Sequence, residues 1–495
     1  MKVAFVALPW IFPAPHFQTH EGYSQNLGIA YMGAFLEKHG HSSVVIDSFA
    51  LGVDQRTEMF FGSARMYLYG LNPDQVAERI PSDADVIGIT CPFNQQAPLI
   101  PVIARAIKAK YPKKPVVLGG PYAIAFPKKA LIENLDVDIV VRGEGEIPLL
   151  DILQAKPLKE IVGILFRQNN GEIFDTGGIA SVVKNMDELP FPARHLLPMD
   201  KYFIRSSRGG DMKHGKPVSF TTSRGCPYTC KFCSLHNEEN DYGYAFRWRS
   251  PDNVMAEIDH LQKAYGKNVV IQFEDDNILI RRDRAKELFQ KLATKKVKWA
   301  IHSGVMIKLL DEKLIMLMKK SGCEQLNLAL ESGNPTVLKA MDKQLDLNHA
   351  ANVVGWCKKH HVNMLAFLIV GYPGETDKTW AETLATLRKL RKLGLRQVAP
   401  FIVNAHPGTP LYDDAVKNGW LRNAAESVYN GNLIQIETED FNEAKVRQWY
   451  ASVEEVMHPY KFIVKRTLKF LLPQSRYDGL IDVIRRLRLA SVASA

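Results

Sequence analysis

The stretch 221-TTSRGCPYTCKFCSLH-236 gathers three of the chain's six cysteines, Cys226, Cys230 and Cys233. Thiolates at the spacing C-x3-C-x2-C on a loop rich in glycine and proline can share one metal site. With His236 they would close a Cys3His zinc site, whereas alone they could hold a 4Fe–4S cluster whose fourth iron has no protein ligand. Three unrelated core cysteines are disfavoured, because core cysteines do not cluster on such a loop.

Six apolar strands separated by helical patterns begin at residue 216 and would position this loop. Such an alternation predicts a parallel barrel or partial barrel, whose chemistry lies on the loops that follow the strands. The cysteine loop follows the first strand. The predicted strands are 217–222, 268–273, 297–302, 324–330, 362–370 and 395–403.

A second β/α alternation occupies residues 1–150 and predicts a doubly wound parallel sheet that binds ligands at the carboxyl ends of its strands. Between the two units, residues 151–215 have the pattern of a connector. It holds a predicted hairpin at 161–176, with Asn-Asn-Gly at its turn, and a proline-containing linker at 186–202. The predicted strands of the first unit are 2–8, 43–47, 85–90, 115–120 and 138–143.

Composition and charge narrow the class of protein. No apolar run reaches the ~18–20 residues of a membrane helix. A small number of cysteines without an export signal favours a reducing cytoplasm. The net charge is +10, and residues 461–495 hold eight lysines and arginines against two aspartates. This amphipathic, basic tail could pack on the barrel, lie on an anionic membrane or bind an acidic partner.

The pattern C-x3-C-x-Φ-C, with Phe232 before the last cysteine, resembles the signature of radical S-adenosylmethionine (SAM) enzymes, and the resemblance runs through residues 216–425. It implies that Cys226, Cys230 and Cys233 hold a 4Fe–4S cluster whose open iron binds S-adenosylmethionine, the source of a 5′-deoxyadenosyl radical.

The same resemblance implies contacts with S-adenosylmethionine on the loops after the later strands. Each of these motifs also has an interpretation without a ligand. The acidic cluster at 274–276 could be a solvated loop or a helix cap, and the glycines near 371 could simply form a tight turn. The implied residues are Phe232, Glu274, Asp275, Asp276, Ser303, Glu331, Ser332, Gly371 and Pro373.

The first unit resembles the cobalamin-binding domain of one radical SAM subgroup, through 85-DVIGITCPFNQ-95, 118-LGGPYA-123 and 140-VVRGEGEIPLL-150. A doubly wound domain that binds another ligand, or none, is the alternative. In 23-YSQNLG-28, Gln25 stands where many cobalamin domains carry the cobalt-binding histidine, so we expect no histidine ligand from this motif. The implied cobalamin contacts are Gln25, Thr90, Phe93, Asn94, Gly119, Gly120, Pro121, Gly143, Glu144 and Glu146.

The expected fold class is therefore α/β. A Rossmann-like cobalamin-binding domain (1–150) and the connector (151–215) precede a partial (β/α)6 TIM-type radical SAM barrel (216–425), and a basic, helical region follows (426–495).

The resemblance implies a methyltransferase that acts on an unactivated carbon, or on phosphorus, through a 5′-deoxyadenosyl radical and methylcobalamin. A cobalamin-dependent radical cyclase, oxidase or rearrangement enzyme is the alternative, and a zinc-stabilised, non-enzymatic binding protein is a remote one. Substrate contacts are expected at Asn404, His406 and Tyr412.

The expected partners are an electron donor such as flavodoxin or ferredoxin and a small-molecule or lipid-like substrate. We expect a cytoplasmic protein, whose basic tail could add peripheral contact with the inner face of the membrane. Nucleic acid is not an expected partner, because no RNA-binding β-domain is visible.

Overall fold

The computed structural model describes residues 1–13, 25–62, 64–205, 215–235, 246–422 and 434–459. The cysteine loop and all predicted strands fall within these ranges. His236 and the basic tail at 461–495 lie outside them.

The first part of the chain folds as a sheet flanked by helices on both faces. Its strands are β1 (Lys2–Ala7), β2 (Trp10–Pro13), β3 (Ser42–Asp47), β4 (Arg56–Phe61), β5 (Ala64–Tyr69), β6 (Val86–Thr90), β7 (Val116–Gly119), β8 (Ile139–Val141), β9 (Ile164–Arg167) and β10 (Ile173–Asp175). Its helices are α1 (Leu27–Lys38), α2 (Ser48–Leu51), α3 (Pro73–Arg79), α4 (Leu99–Lys110), α5 (Pro121–Ala125), α6 (Pro127–Ile132), α7 (Glu146–Leu153) and α8 (Met199–Arg205).

The main sheet of this part has the order β10-β9-β8-β7-β6-β1-β3. Strands β3, β1, β6, β7 and β8 are parallel, and separate apolar cores cover the two faces. The strand order reverses between β1 and β6, which places a ligand crevice at their carboxyl ends. The doubly wound prediction is confirmed.

Two features of this part differ from the strands predicted at sequence level. The hairpin predicted at 161–176 forms β9 and β10, and β9 pairs antiparallel with β8, so the hairpin extends the main sheet. A separate antiparallel sheet, β2-β5-β4, was not predicted. Strands β4 and β5 carry aromatic as well as charged residues on their outward side, so the alternation of apolar and polar residues that signals a half-buried strand is weak there.

The second part is a six-stranded parallel sheet in the order β11-β14-β15-β16-β17-β18. Its strands, together with the short pair β12 and β13, are β11 (Lys216–Phe220), β12 (Ser223–Arg224), β13 (Arg247–Trp248), β14 (Val269–Phe273), β15 (Lys298–Val305), β16 (Cys323–Glu331), β17 (Asn363–Val370) and β18 (Gln397–Ile402). The helices are α9 (Pro251–Tyr265), α10 (Arg282–Lys295), α11 (Glu312–Lys320), α12 (Pro335–Ala340), α13 (Leu347–Lys359), α14 (Asp377–Leu393), α15 (Pro410–Lys417) and α16 (Glu443–Met457).

All six predicted barrel strands are present, and each pairs in parallel with the next, as β/α units require. Local capping sets the helix starts: Ser250 Oγ accepts the amide of Asn253 at the start of α9, and Thr376 with Thr379 forms a capping box at α14. In the predicted helical C-terminal region, α16 packs on α14 through the stacked rings of Trp449 and Trp380, 5.6 Å apart.

Candidate active site between the two sheets

The cysteine loop follows β11, as the sequence predicts, and backbone contacts tie it down on two sides. The Gly225 amide donates to Asp276 Oδ2 at 2.8 Å, and Gly225 has φ +87°, a conformation that favours glycine. Farther along, the Lys231 amide donates to the Met341 carbonyl at 3.1 Å, and the Lys231 carbonyl accepts from the amide of Leu411 at 3.0 Å. The loop is therefore held from both the second strand and the later β/α units.

The three thiols are half-buried and free of disulfides. Burial raises the pKa of each thiol, that of Cys233 to about 12, so cluster binding must displace thiol protons. Within the described ranges no three His, Cys, Asp or Glu side chains converge on one ion. A cluster that takes one thiolate per iron does not need such convergence, so this donor set fits a three-cysteine cluster.

The acidic cluster after β14 divides into two roles. Asp275 is buried, and its Oδ1 accepts from the Thr222 amide, the Thr222 hydroxyl and the Ser223 hydroxyl at 3.0, 2.7 and 2.6 Å, so it holds the start of the cysteine loop. Asp276 faces a cavity beside the loop. Burial, with the nearby charges of Asp275 and Glu144, raises the pKa of Asp276 to about 6, against the donation from Gly225.

The other implied contacts with S-adenosylmethionine lie around the same loop. Glu274 lines the cavity, and its Oε1 accepts from the hydroxyl of Ser219 at 3.1 Å. Ser303 donates to the Asp275 carbonyl at 2.5 Å. The ring of Phe232 meets that of Tyr372 edge-on, with centroids 6.5 Å apart.

Glu331, the last residue of β16, and Ser332, which follows it, are buried. Glu331 has φ +61° and accepts from Lys343 Nζ at 3.4 Å. Burial raises the pKa of Glu331, and the Lys343 cation opposes that rise. Ser332 Oγ accepts the amide of Asn334 within the same turn at 3.2 Å. Lys343 was missed at sequence level, because only the fold brings it near the cysteines.

The turn after β17 is held by an internal carboxylate. Glu375 Oε2 accepts the amides of Gly371 and Tyr372 at 2.7 and 3.1 Å. Gly371 has φ +84°, and a Cβ there would meet Val446 at 3.1 Å, so a tight turn accounts for this glycine. Pro373 is half-buried beside it. Their contacts with S-adenosylmethionine stay predictions.

A cavity of about 730 Å³ lies between the two parts of the chain. All ten residues predicted to contact cobalamin line it, as do Ser234 and Leu235, which directly follow Cys233. The predicted cobalamin contacts are Gln25, Thr90, Phe93, Asn94, Gly119, Gly120, Pro121, Gly143, Glu144 and Glu146.

Two glycines at the carboxyl end of β7 shape this cavity differently. A Cβ at Gly119 would meet no atom within 4 Å, so the backbone there is open to a ligand. A Cβ at Gly120, which has φ +94°, would meet Thr90 Oγ1 at 2.8 Å. A flat, bulky ligand requires a crevice at the strand ends and a backbone that it can approach closely. The cavity offers both, so it fits cobalamin.

Gln25 is buried and bridges the two parts of the chain. Its Nε2 donates to the Pro217 carbonyl at 2.9 Å, and its Oε1 accepts the Ser219 amide at 3.2 Å, both on β11. The side chain that stands in the place of the cobalt-binding histidine thus pairs with the barrel's first strand.

Glu144 and Glu146 also pair across the boundary between the two parts. Arg224 Nη1 donates to Glu144 Oε2 at 2.7 Å, and Nη2 donates to Glu146 Oε1 at 2.9 Å. Arg247 pairs with the other oxygen of Glu144. Burial alone would raise the pKa of Glu144, but Arg224 and Arg247 outweigh it and hold the pKa below its usual value. The sequence analysis missed this pairing, because the partners lie 78 or more positions apart and only the docking of the two sheets brings them together.

Among the predicted substrate residues, His406 lines the cavity. Its Nδ1 lies 3.3 Å from Asn94 Nδ2 of the first sheet's loop, and burial lowers its pKa, which favours the neutral ring. Asn404 is half-buried two residues earlier, while Tyr412 packs against the barrel core.

The described part of the chain has no helix both long and apolar enough to cross a membrane.

Two protein-family models match the chain in this order. The B12 binding domain matches residues 17–153, and the radical SAM superfamily matches residues 220–387, which include all three loop cysteines. The chain is a radical SAM enzyme with a B12-binding domain. The zinc-stabilised, non-enzymatic alternative is thereby set aside.

Known relatives of this radical SAM enzyme have more than one activity. It is 28% identical over 434 residues to the cytidylyl-2-hydroxyethylphosphonate methyltransferase of Streptomyces wedmorensis, covering 81% of this chain and 80% of the relative. It is 26% identical over 392 residues to the anaerobic magnesium-protoporphyrin IX monomethyl ester cyclase of Rubrivivax gelatinosus, covering 75% and 64%.

A solved structure of the cobalamin-dependent S-adenosylmethionine radical enzyme OxsB, with aqua-cobalamin and S-adenosylmethionine bound, has the same fold as this radical SAM enzyme. The TM-score is 0.70 at 14% sequence identity, and the match covers 98% of this chain and 75% of OxsB. The predicted fold class is confirmed.

Proposed function

We propose that this radical SAM enzyme is a cobalamin-dependent methyltransferase that acts on an unactivated carbon, or on phosphorus, of a small molecule. The observation that carries the proposal is the shared cavity. Thr90 and Gly119 of the first part line it together with Ser234 and Leu235, which adjoin the cysteine loop. When bound, cobalamin supplies the methyl group, and S-adenosylmethionine on the reduced cluster supplies the radical.

The chain's own residues would hold and isolate these groups. Cys226, Cys230 and Cys233 provide thiolates for three irons. Glu274 and Asp276 line the cavity and suit the ammonium of S-adenosylmethionine, because carboxylates pair with such a cation.

Beside them, His406 can place a substrate between the two cofactors. Replacing His406 with alanine is expected to raise KM while 5′-deoxyadenosine formation without substrate is unchanged, because the ring contacts Asn94 on the first sheet's loop. Unchanged kinetics would remove His406 from the substrate site.

A cobalamin-dependent radical cyclase, oxidase or rearrangement enzyme is the second candidate. It is favoured by the match to the Rubrivivax gelatinosus cyclase, which extends over 75% of this chain. S-adenosylmethionine labelled in its methyl group separates the two, since only the methyltransferase places label in the product.

The test of the first proposal uses anaerobically purified, cluster-reconstituted protein with cobalamin, S-adenosylmethionine and a reductant, but no substrate. Mass spectrometry then measures 5′-deoxyadenosine and methylated cobalamin. Both products support methyl transfer, and 5′-deoxyadenosine with unmethylated cobalamin favours the second candidate. The proposal would be contradicted if neither product formed and the Cys226→Ala variant retained as much iron as the Cys91→Ala variant. Cys91→Ala is the control, because Cys91 is a buried cysteine outside the cysteine loop.

Radical SAM chemistry requires a reductant, and we propose flavodoxin or ferredoxin as the donor in the cytoplasm. Contact of the basic tail with a membrane also stays a proposal, because residues 461–495 lie outside the described ranges.

A further inference from the structure

Gln25 pairs with the edge of the barrel sheet as a residue of a further strand would. Strand β11 comes first in the order of that sheet, so among the described strands it has a neighbour on one side only. The outer edge of such a strand presents backbone groups that need partners. Gln25 Nε2 donates to the Pro217 carbonyl at 2.9 Å, and Gln25 Oε1 accepts the Ser219 amide at 3.2 Å. These two groups flank Val218, so the side chain adds one peptide-like pairing to a parallel sheet.

This double contact explains why a glutamine suits the position better than a histidine that binds cobalt. A carboxamide carries a donor and an acceptor at once. A histidine bound to cobalt through one ring nitrogen would have only the other nitrogen left, so it would leave one of these backbone groups without its bond. Gln25 is 7% exposed, and a buried backbone group without a partner is costly. In this chain the position therefore docks the first part on the barrel.

Arginines hold the neighbouring carbonyls of the same strand edge. The Ser219 carbonyl accepts from Arg194 Nη2 at 2.9 Å, and the Thr221 carbonyl accepts from Arg249 Nη1 at 3.0 Å. Both arginines pair with Glu257, whose side chain is fully buried. The strand that leads into the cysteine loop is thus fixed along its length, and rigid elements of this kind can carry energetic coupling between sites.

A continuous row of contacts runs from the cobalamin cavity to the S-adenosylmethionine site. It begins at Gln25, which lines the cavity and accepts the Ser219 amide. The hydroxyl of Ser219 then donates to Glu274 Oε1 at 3.1 Å, and Ser219 itself is buried. Glu274 is one of the carboxylates that suit the ammonium of S-adenosylmethionine. The two cofactors would therefore meet opposite ends of one short row of side chains.

We propose that Gln25 is a positioning residue that couples cobalamin binding to S-adenosylmethionine binding through Ser219 and Glu274. Cobalamin in the cavity restricts Gln25 to the orientation that pairs with β11, which fixes Ser219 and orients the Glu274 carboxylate. Coupling free energies are reciprocal, so each cofactor binds more tightly when the other is present. The inference goes beyond the proposed methyl transfer, because it applies equally to the second candidate reaction.

The test measures binding of labelled S-adenosylmethionine to cluster-reconstituted enzyme by anaerobic equilibrium dialysis, with and without saturating hydroxocobalamin. No reductant is added, because an unreduced cluster does not cleave S-adenosylmethionine. The coupling ratio is the Kd without cobalamin divided by the Kd with cobalamin. We expect a coupling ratio of about five or more in the wild type.

Two variants interrupt the row at different links. Ser219→Ala keeps the backbone amide that pairs with Gln25 and removes the hydroxyl that donates to Glu274. Gln25→Met keeps the approximate size of the side chain and removes both bonds to β11. Each variant should lower the coupling ratio to about one.

Gln96→Met is the matched control. Gln96 is also a buried glutamine, and its Nε2 donates to the carbonyls of Leu8 and Pro9 at 3.1 Å each, within the first part of the chain. Its replacement removes comparable bonds and should leave the coupling ratio at the wild-type value. A purely structural role of Gln25 would affect the two glutamine variants alike.

Hydrogen–deuterium exchange provides a measurement on the wild type, which does not depend on how the variants fold. Adding cobalamin to the cluster-loaded enzyme should slow deuterium uptake in a peptide that covers 217–222, because Gln25 holds the Ser219 amide there. A peptide from β17 should show no change.

The proposal is overturned by a wild-type coupling ratio near one, or by unchanged deuterium uptake at 217–222. It is also overturned if Gln96→Met lowers the coupling ratio as much as Gln25→Met does. The test of methyl transfer detects products and this test detects binding without turnover, so the two proposals can fail separately.

Discussion

Replacing Arg224 with glutamine removes a cation shared by two buried carboxylates of the first part of the chain. The Glu144 and Glu146 side chains are 4% and 5% exposed, and Arg224 is 17% exposed. Removing one partner of a buried ion pair costs about 3–5 kcal/mol, because a buried charge is left uncompensated. Arg247 remains on Glu144, so we expect the lower part of that range for R224Q.

Anaerobic urea unfolding of the apo-protein measures this cost, with Fe content and retained cobalamin measured on the loaded enzyme. The loss of unfolding free energy in the double variant R224Q/E146Q should be smaller than the sum of the losses in the two single variants by more than about 1 kcal/mol. The reason is that E146Q removes the carboxylate that R224Q leaves without its partner. Arg142→Gln is the matched control, since Arg142 pairs with Asp175 at 2.8 Å within the first sheet.

The two arginine variants separate stability from positioning. Both should lower the free energy of unfolding, but only R224Q should reduce the yield of methylated cobalamin per 5′-deoxyadenosine, because only Arg224 connects the cysteine loop with the cobalamin loops. The reasoning would be refuted if R224Q lowered the free energy of unfolding by less than about 1 kcal/mol and the effects of R224Q and E146Q were additive. Exposed ion pairs behave in that way.

Two further variants test the cavity and a buried acid. Gly119→Ala should leave the unfolding free energy of the apo-protein within about 0.5 kcal/mol of the wild-type value. It should raise the Kd for cobalamin about tenfold, because the new methyl group projects into the open space of the cavity. Gly355→Ala, which also meets no atom within 4 Å, should leave cobalamin affinity unchanged. Burial raises the pKa of Glu375 from 4.5 to about 8. The folded state therefore binds this proton more tightly, and stability present below pH 4.5 is lost as pH rises through 8. Between those values wild type should lose on the order of 5 kcal/mol relative to Glu375→Gln in urea titrations, and parallel pH profiles would contradict the assignment.

Some of the site was predictable because its residues are neighbours in sequence. The cysteine loop and the strand-end turns each need only a strand, a loop and their order along the chain. Parallel sheets bring the carboxyl ends of successive strands to one edge, so residues at those ends could be grouped without coordinates. The ten cobalamin candidates lie around one cavity for this reason.

The sequence by itself determined the two α/β units, their order and the three-thiol donor set, because periodicity and local spacing encode them. Tertiary structure alone decided how the units meet. It paired Gln25 with β11, Arg224 with Glu144 and Glu146, and His406 with Asn94. These partners lie 78 or more positions apart along the chain, and each pairing depends on the docking of two sheets, which no local pattern records.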